Sequence, residues 1–532
     1  MFFACIIQKQ WEIKQRTDRI YRQRRTYRME TEEKLNRLYQ ILAKVERLSH
    51  CIHVINYDME TACPKEGMED DSKDVIALQG QIFTLQKSDE YINLIKDLNE
   101  RKDELKPYDA KLIKELYKDY KRNEHVDEKT NEEANALFSN AYQIWLEAKN
   151  AKKYSLFAPT LEKIYEMQKH LLLLRDDVDK NDLYNTLFSD YEDGFTTKDL
   201  DEFFDELEKG IVPLFKKVKS SDYVPRHDFL NRRVPIFKQE RFTEYLLRFN
   251  GFDFDRGSIS TTEHPFTDQL GQNDVRVTTK YSETAFISNM YSIIHEGGHA
   301  IFGQNIPKEV FLSHLGEGCL TMGKHESVSR FYENVIGRSK EYIQAIYPYF
   351  ASEFSEEMHD VSASDLYEGV NYVDFNNKLR TEADELSYSL HILIRYRLER
   401  KIMRGEADFE NLNQEWNRLY KEILGVDILN DQEGILQDVH WSSGFGYFPT
   451  YAIGNALNCI YVKRLDKELG LAKTLSEGRM DLILGWMKKK VFEKAPLLDT
   501  KDWIHEITGE KFSAKPYIEY LTKKYTDLYH LD

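Results

Sequence analysis

Apolar residues recur every three or four positions along most of this chain, and a backbone that buries one side at that spacing has to be helical. Leu35, Leu38, Ile41, Leu42, Val45 and Leu48 form one such stripe, and Leu161, Ile164, Tyr165, Met167 and Leu171 form another. The spacing predicts successive amphipathic helices over 30–220. Charge-rich stretches from Asn99 to Lys106 and from Lys121 to Glu133 separate them and read as solvated faces or loops. Glycines number 25 and prolines 12, about 7% of 532 residues, against roughly 12% in an average chain, and turn-rich all-β folds need more of both. The expected class is therefore all-α, with one interruption. Between about 222 and 282, proline, glycine, threonine and β-branched residues take over, as in Arg232-Arg233-Val234-Pro235-Ile236 and Asp274-Val275-Arg276-Val277-Thr278-Thr279. A small two- or three-stranded sheet is predicted there. Helical spacing resumes at Ala285 and runs nearly to the end, broken at 425–455 by a stretch rich in glycine and aromatics.

Charge excludes one class of partner. With 91 acidic against 74 basic residues the formal net charge is -17, so nucleic acid is not expected to bind. The five cysteines (Cys5, Cys51, Cys63, Cys319 and Cys459) are odd in number and contain no C-x-x-C pair. Neither a disulfide framework nor a zinc knuckle is indicated, and a reducing cytosol fits. No apolar run approaches the ~18 residues that a bilayer requires, so a soluble, cytoplasmic protein with no membrane partner is expected. Residues 1–28 differ from the rest: eight Lys or Arg stand against only Glu12 and Asp18. A secretory signal would place its charges before the apolar run, whereas here they come after Phe2 to Ile7. The segment is read as a basic extension, disordered or not native, upstream of a start at Met29. Residues 29–532 are then expected to form a single helical domain, with a helical part over 30–220 and the active site within 222–455.

The chemistry concentrates at His295-Glu296-Gly297-Gly298-His299. On a helix, residues four apart lie about 40° from each other, so both imidazoles can face one cation while the intervening carboxylate stands beside it. The alternative is a helix with two unrelated histidines. A glycine pair inside a helix costs about 1 kcal/mol per glycine relative to alanine, which close approach of another backbone or of a substrate would explain. A catalytic zinc site needs a third protein ligand and one open position. Phe302 and Asn305 occupy the positions where the extended metzincin pattern has glycine and histidine, so the third ligand must lie farther on. Glu309, Glu317, Glu326 and Glu333 are candidates. Glu326 stands out because His325-Glu326-Ser327-Val328-Ser329-Arg330 surrounds it with hydrogen-bonding side chains, and Glu333 is the fallback.

Further segments share an order with a known family. The chain carries His264-Pro265-Phe266, Asp274-x-Arg276-x-Thr278, His325-Glu326-Ser327-x-Ser329, Leu379-Arg380-x-x-Ala383-Asp384 and Gly434-x-x-Gln437-Asp438-x-His440-Trp441, followed by Gly444 to Tyr451. Together with H-E-x-x-H these resemble the carboxypeptidase Taq family of thermostable metallocarboxypeptidases, over about 30 to 532. The resemblance implies a saddle-shaped, predominantly helical subunit with a deep central groove, paired as a homodimer, that removes single residues from peptide C-termini. It implies one divalent metal per subunit, zinc or alternatively cobalt, held by His295, His299 and Glu326. Glu296 would be the base, Arg380 the anchor for the substrate carboxylate, and His264, His440 and Tyr447 would line the subsites. Leu379, Val328 and Arg397 depart from the family pattern without removing a catalytic group.

Bound to such an ion, water can ionise near pH 7. Glu296 would take its proton and pass it to the leaving amine, with Tyr447 or His440 donating to the oxyanion. A guanidinium suits a chain-end carboxylate because the contact is paired and directional. Arg380 is the expected anchor and Arg395 the reserve; the alternative role for Arg380 is a salt bridge to Asp384, four residues on along one helix. Asp274 and Arg276 are expected to pair structurally. Two other functions stand beside the broad-specificity carboxypeptidase: a helical zinc oligopeptidase cutting internal bonds of short peptides, and a non-catalytic scaffold.

Overall fold

The computed structural model describes residues 2–316 and 319–531, with side chains from Glu30 onward. It is 66% helical. Two compact units emerge, one of Met1–Arg122 with Pro307–Cys319 and the other of Asn123–Ile306 with Leu320–Asp532.

In the first unit, the opening helix runs without interruption over Phe2–Thr61, and the basic segment leads directly into the stripe read from the sequence. Leu35, Leu38, Ile41 and Leu42 are buried along one side of it, as the spacing requires. The helices Met68–Gln86, Asp89–Glu100 and Pro107–Asn123 come next, and the charged stretch after Asn99 falls at a helix boundary, around a short turn at Lys102–Glu104.

The second unit holds the sheet and every residue of the HEGGH segment. Its strands are β1 (Gly257–Thr261), β2 (Thr267–Gly271) and β3 (Asp274–Thr279), in the order β1-β3-β2. β1 runs parallel to β3 and β2 antiparallel to it. Val275 and Val277 alternate inward, fully buried, while Arg276 turns out and pairs with Asp274 at 2.8 and 2.9 Å, the structural role expected of that pair. The segment Arg232–Ile236 is not a strand, contrary to expectation. Pro235 precedes the helix Ile236–Asn250, because proline's fixed φ suits a helix entry and its missing N–H would spoil a ladder. That helix stops at Gly251, whose φ of 100° is readily adopted only without a side chain.

Among the described residues, no helix is long and apolar enough to cross a membrane, and Cys51, Cys63 and Cys459 are not bridged by a disulfide.

Candidate metal centre and active site

The HEGGH segment lies in the helix Phe286–Gln304, where His295 and His299 stack on one face with ring centroids 5.0 Å apart. The glycine pair answers the question its helix cost raised. A Cβ on Gly298 would lie 2.8 Å from Ser329 Cα, and one on Gly297 would lie 2.6 Å from Leu247 Cδ2. Gly298 thus lets the helix Met322–Arg330 come within backbone distance, and that helix carries Glu326. Its first turn is fixed by the buried carboxylate of Glu192, which accepts from Gly323 N at 2.9 Å and from the Thr321 hydroxyl at 2.5 Å. From the other side the helix Pro449–Leu469 presses in at Gly454, where a Cβ would lie 2.8 Å from that of Glu326.

Glu326 Oε2 lies 3.6 Å from both His295 Nε2 and His299 Nε2. Ligand atoms around a tetrahedral zinc ion stand roughly 3.3–3.5 Å from one another, so two imidazoles and one carboxylate fit a divalent ion here without rearrangement. The three side chains form a candidate metal cluster. Glu333 is not part of it. The helix continues past Arg330 as a wider π turn, Phe331–Ile336, which brings Glu333 Oε2 to His295 Nδ1 at 2.9 Å. A carboxylate there sets the imidazole's tautomer and orientation. Glu309 is exposed on the helix Lys308–Leu312, and Glu317 lies outside the described residues.

Arg330 ties the acids together. It donates to Glu326 Oε1 at 2.7 Å and to Glu333 Oε2 at 2.9 Å, and it lies 4.1 Å from the centre of the Tyr388 ring. Burial alone would raise both carboxyls. Arg330 and His295 instead hold Glu326 well below the usual range and Glu333 at about 2, so both are carboxylates ready for cations. His295 is raised: burial opposes its protonation, but Glu326 and Glu333 outweigh that.

Glu296 faces the sheet. The hydroxyl of Thr267, the first residue of β2, lies 2.7 Å from Glu296 Oε2 and 2.9 Å from Glu296 O. Thr267 comes directly after the His264-Pro265-Phe266 motif but carries no signal of its own in the sequence. Its role depends on how β2 lies against the helix, which local spacing does not encode. The Thr278 hydroxyl in turn accepts from Phe266 N at 2.8 Å. His264 itself is exposed on the β1–β2 connection, and no hydrogen bond ties it to the cluster.

The remaining candidates gather around Asp438. Arg380 donates to Asp438 Oδ1 through Nε at 3.0 Å and Nη2 at 2.9 Å, and through Nη1 to the Tyr388 hydroxyl at 3.1 Å. This corrects the pairing with Asp384: residues 380–382 form a single 3-10 turn, and Asp384 caps the next helix, Glu385–Met403, through Ser387 N. Arg395 holds the other oxygen, Asp438 Oδ2, at 2.6 and 2.7 Å. Tyr388 therefore touches both the Arg330 of the metal cluster and the Arg380 of this one. His440 Nε2 lies 3.1 Å from the Tyr451 hydroxyl, and its ring is 5.4 Å from that of Tyr447. Burial, helped by Arg380 and Arg395, pushes His440 down to about 4, so it is neutral at physiological pH. Tyr447 is raised by burial and then by the charge of Glu326. Tyr388 could not be found from the sequence, since nothing in its spacing sets it apart from core residues, whereas Arg330 and Tyr451 stand in the segments already marked around Glu326 and after Gly444.

Known proteins resemble this chain over nearly its whole length. A family model described as Carboxypeptidase Taq (M32) metallopeptidase matches residues 37–525. Carboxypeptidase 1 of Bacillus subtilis is 36% identical over 495 residues, 93% of this chain and 98% of that protein. Thermostable carboxypeptidase 1 of Thermus thermophilus is 33% identical over 486 residues, 89% of this chain and 94% of that protein. The crystal structure of an M32 carboxypeptidase from Deinococcus radiodurans R1 aligns with a TM-score of 0.89 at 29% identity, covering 94% of this chain and 100% of that one. A Pyrococcus furiosus carboxypeptidase structure gives 0.87 at 31% identity over 92% and 98% of the two chains.

Proposed function

Because the chain belongs to the carboxypeptidase Taq (M32) metallopeptidase family, it is a metallocarboxypeptidase, and we propose that it releases single residues with broad specificity from the C-termini of unstructured peptides. His295, His299 and Glu326 would hold one divalent ion per subunit, zinc being the best match to two imidazoles and a carboxylate and cobalt the alternative. When bound, such an ion supplies a Lewis acid that brings the pKa of water to about 7 and polarises the scissile carbonyl.

Glu296 accepts the proton of the attacking water and returns it to the leaving nitrogen. The Thr267 hydroxyl holds one of its oxygens, which supports a fixed orientation for the other. Tyr447, together with neutral His440, donates hydrogen bonds to the oxyanion. One observation carries the exopeptidase reading: two guanidinium groups, Arg380 and Arg395, share the single carboxylate of Asp438 beside this centre. One positive charge is thereby left for an incoming carboxylate. Arg395 is fully buried and uses Nη1 on His391 O at 2.6 Å besides its two contacts to Asp438. Arg380, among the described residues, has acceptors for three of its five N–H groups. Arg380 is accordingly the anchor, Arg395 its support, and His264 an outer contact for the peptide. A cytoplasmic homodimer completes the proposal, and sedimentation velocity tests the pairing.

Mass spectrometry of a peptide ladder, with free-acid and amidated C-termini in parallel, tests the reading. Sequential loss from the free C-terminus and none from the amide is expected. Equal cleavage of both, at internal bonds, would make it an oligopeptidase instead.

A further inference from the structure

The segment that delivers His440 and Tyr447 is irregular, and two of its residues, Gly444 and Gly446, sit at φ of 115° and 98°. Beyond the 3-10 turn His440–Ser442 it is held by other elements, Gln168 Oε1 accepting from Phe445 N at 3.0 Å among them. Immediately beside each of the two site residues, a backbone or ring N–H points at the same buried group. Trp441 Nε1 donates to Glu399 Oε1 at 2.9 Å, Gly446 N donates to Glu399 Oε2 at 3.2 Å, and the Tyr184 hydroxyl also donates to Oε2 at 2.7 Å. Glu399 is fully buried and lies one helical turn after Arg395, on the helix Glu385–Met403. The two residues act on consecutive stretches of chain. Arg395 Nη2 donates to Gln437 Oε1 at 2.8 Å and holds Asp438, and Glu399 holds the residues from Trp441 to Gly446. Gly446 is seated too closely to move outward, because a Cβ there would lie 2.9 Å from Tyr191 Cε2.

We propose that Glu399 is a positioning residue for the hydrolysis: its carboxylate clamps both ends of the 440–447 segment and so sets where His440 and Tyr447 meet the oxyanion. This rests on the reading that those two side chains act in the site. Glu399 itself touches neither the metal cluster nor, by its burial, the substrate. Burial pushes its carboxyl up to about 7, so measurements at about pH 8.5 observe the ionised form.

Glu399→Gln is the informative change. The Trp441 and Gly446 N–H groups can only donate, and a carboxamide must turn its NH2 toward one of them, releasing one end of the clamp without altering bulk. Kinetics on a blocked dipeptide, for Glu399→Gln, Tyr447→Phe and the double variant, distinguish the outcomes. Expected are a kcat loss of about 10- to 100-fold with KM within about twofold, metal content unchanged by elemental analysis, and in the Tyr447→Phe background a much smaller loss. A full kcat in Glu399→Gln, with Tyr447→Phe impaired, would overturn the clamp alone. An equal loss in both backgrounds would make Glu399 a general structural residue and also overturn it. Full kcat in both Tyr447→Phe and His440→Ala would remove the reading beneath it. Should Glu399→Gln fail to fold, Trp441→Phe and Tyr184→Phe each remove one donor to the same carboxylate. They should lower kcat by about 3- to 10-fold at constant KM, and unchanged kcat in both would overturn the proposal.

Discussion

Glu296, Glu326 and Glu333 lie close together but are proposed for separate duties, and substitution separates them. Glu296→Gln should keep its metal while losing turnover by about 10²- to 10⁴-fold, because a carboxamide cannot take a proton. Near wild-type activity would remove it as the base. Glu326→Gln should instead lower metal content in elemental analysis, whereas Glu333→Gln, which disturbs the far nitrogen of His295 and the ion pair with Arg330, should weaken metal affinity by about 10- to 100-fold in a chelator competition. Retained metal in Glu326→Gln would move the ligand role elsewhere. The grouping of His295, His299 and Glu326 could be read from the sequence: four-residue spacing marks the histidine pair, and the hydroxyls and arginine after Glu326 mark a supported carboxylate. The duty of Glu333 could not, because an α-helical count puts it two turns beyond Glu326, and the π turn at Phe331–Ile336 re-aims it.

Between elements, the centre depends on helices held closer than side chains normally allow. Gly298→Ala should gain helix propensity of about 1 kcal/mol but meet Ser329 Cα, for a net loss of about 1–3 kcal/mol and a lower Tm. A higher Tm would show that the approach of the two helices is not tight. The helix Glu385–Met403 gives a pH-dependent test. Burial pushes its cap, Asp384, up to about 6, against the hydrogen bonds from Ser387. A carboxyl whose folded value lies above its unfolded 3.8 keeps its proton longer in the native state, so stability falls as pH rises from about 4 to 6 and is level above. Asp384→Asn, which can still cap, should remove that fall and raise stability at pH 7 by about 1–2 kcal/mol, the partial exposure of the side chain moderating the gain. Equal pH profiles for the two proteins, by denaturant unfolding, would contradict it. The spacing of residues 379–384 suggests one helix and a local ion pair. The true partner of Arg380, Asp438, is far along the chain, and no local period reports such a pairing.

Across the whole molecule, the helical class, the small sheet and the family could all be read in advance, because periodicity and ordered motifs are properties of sequence alone. The mixed direction of the strands, the two compact units and the crowding of Tyr388, Arg330 and Arg380 into one network are tertiary facts. The net charge of -17 disfavours acidic peptides at long range. Neutral and basic peptides should therefore be cleaved faster than acidic ones at low ionic strength, with the difference shrinking in salt. Everything proposed for the chemistry requires one ion among His295, His299 and Glu326. Anomalous scattering from crystals grown with zinc tests this most directly. A single strong peak about 2.0–2.2 Å from both imidazole Nε2 atoms and from a Glu326 oxygen is expected. A peak confined to another acidic cluster, such as Asp58, Cys63 and Asp71, with none between the two histidines, would contradict it.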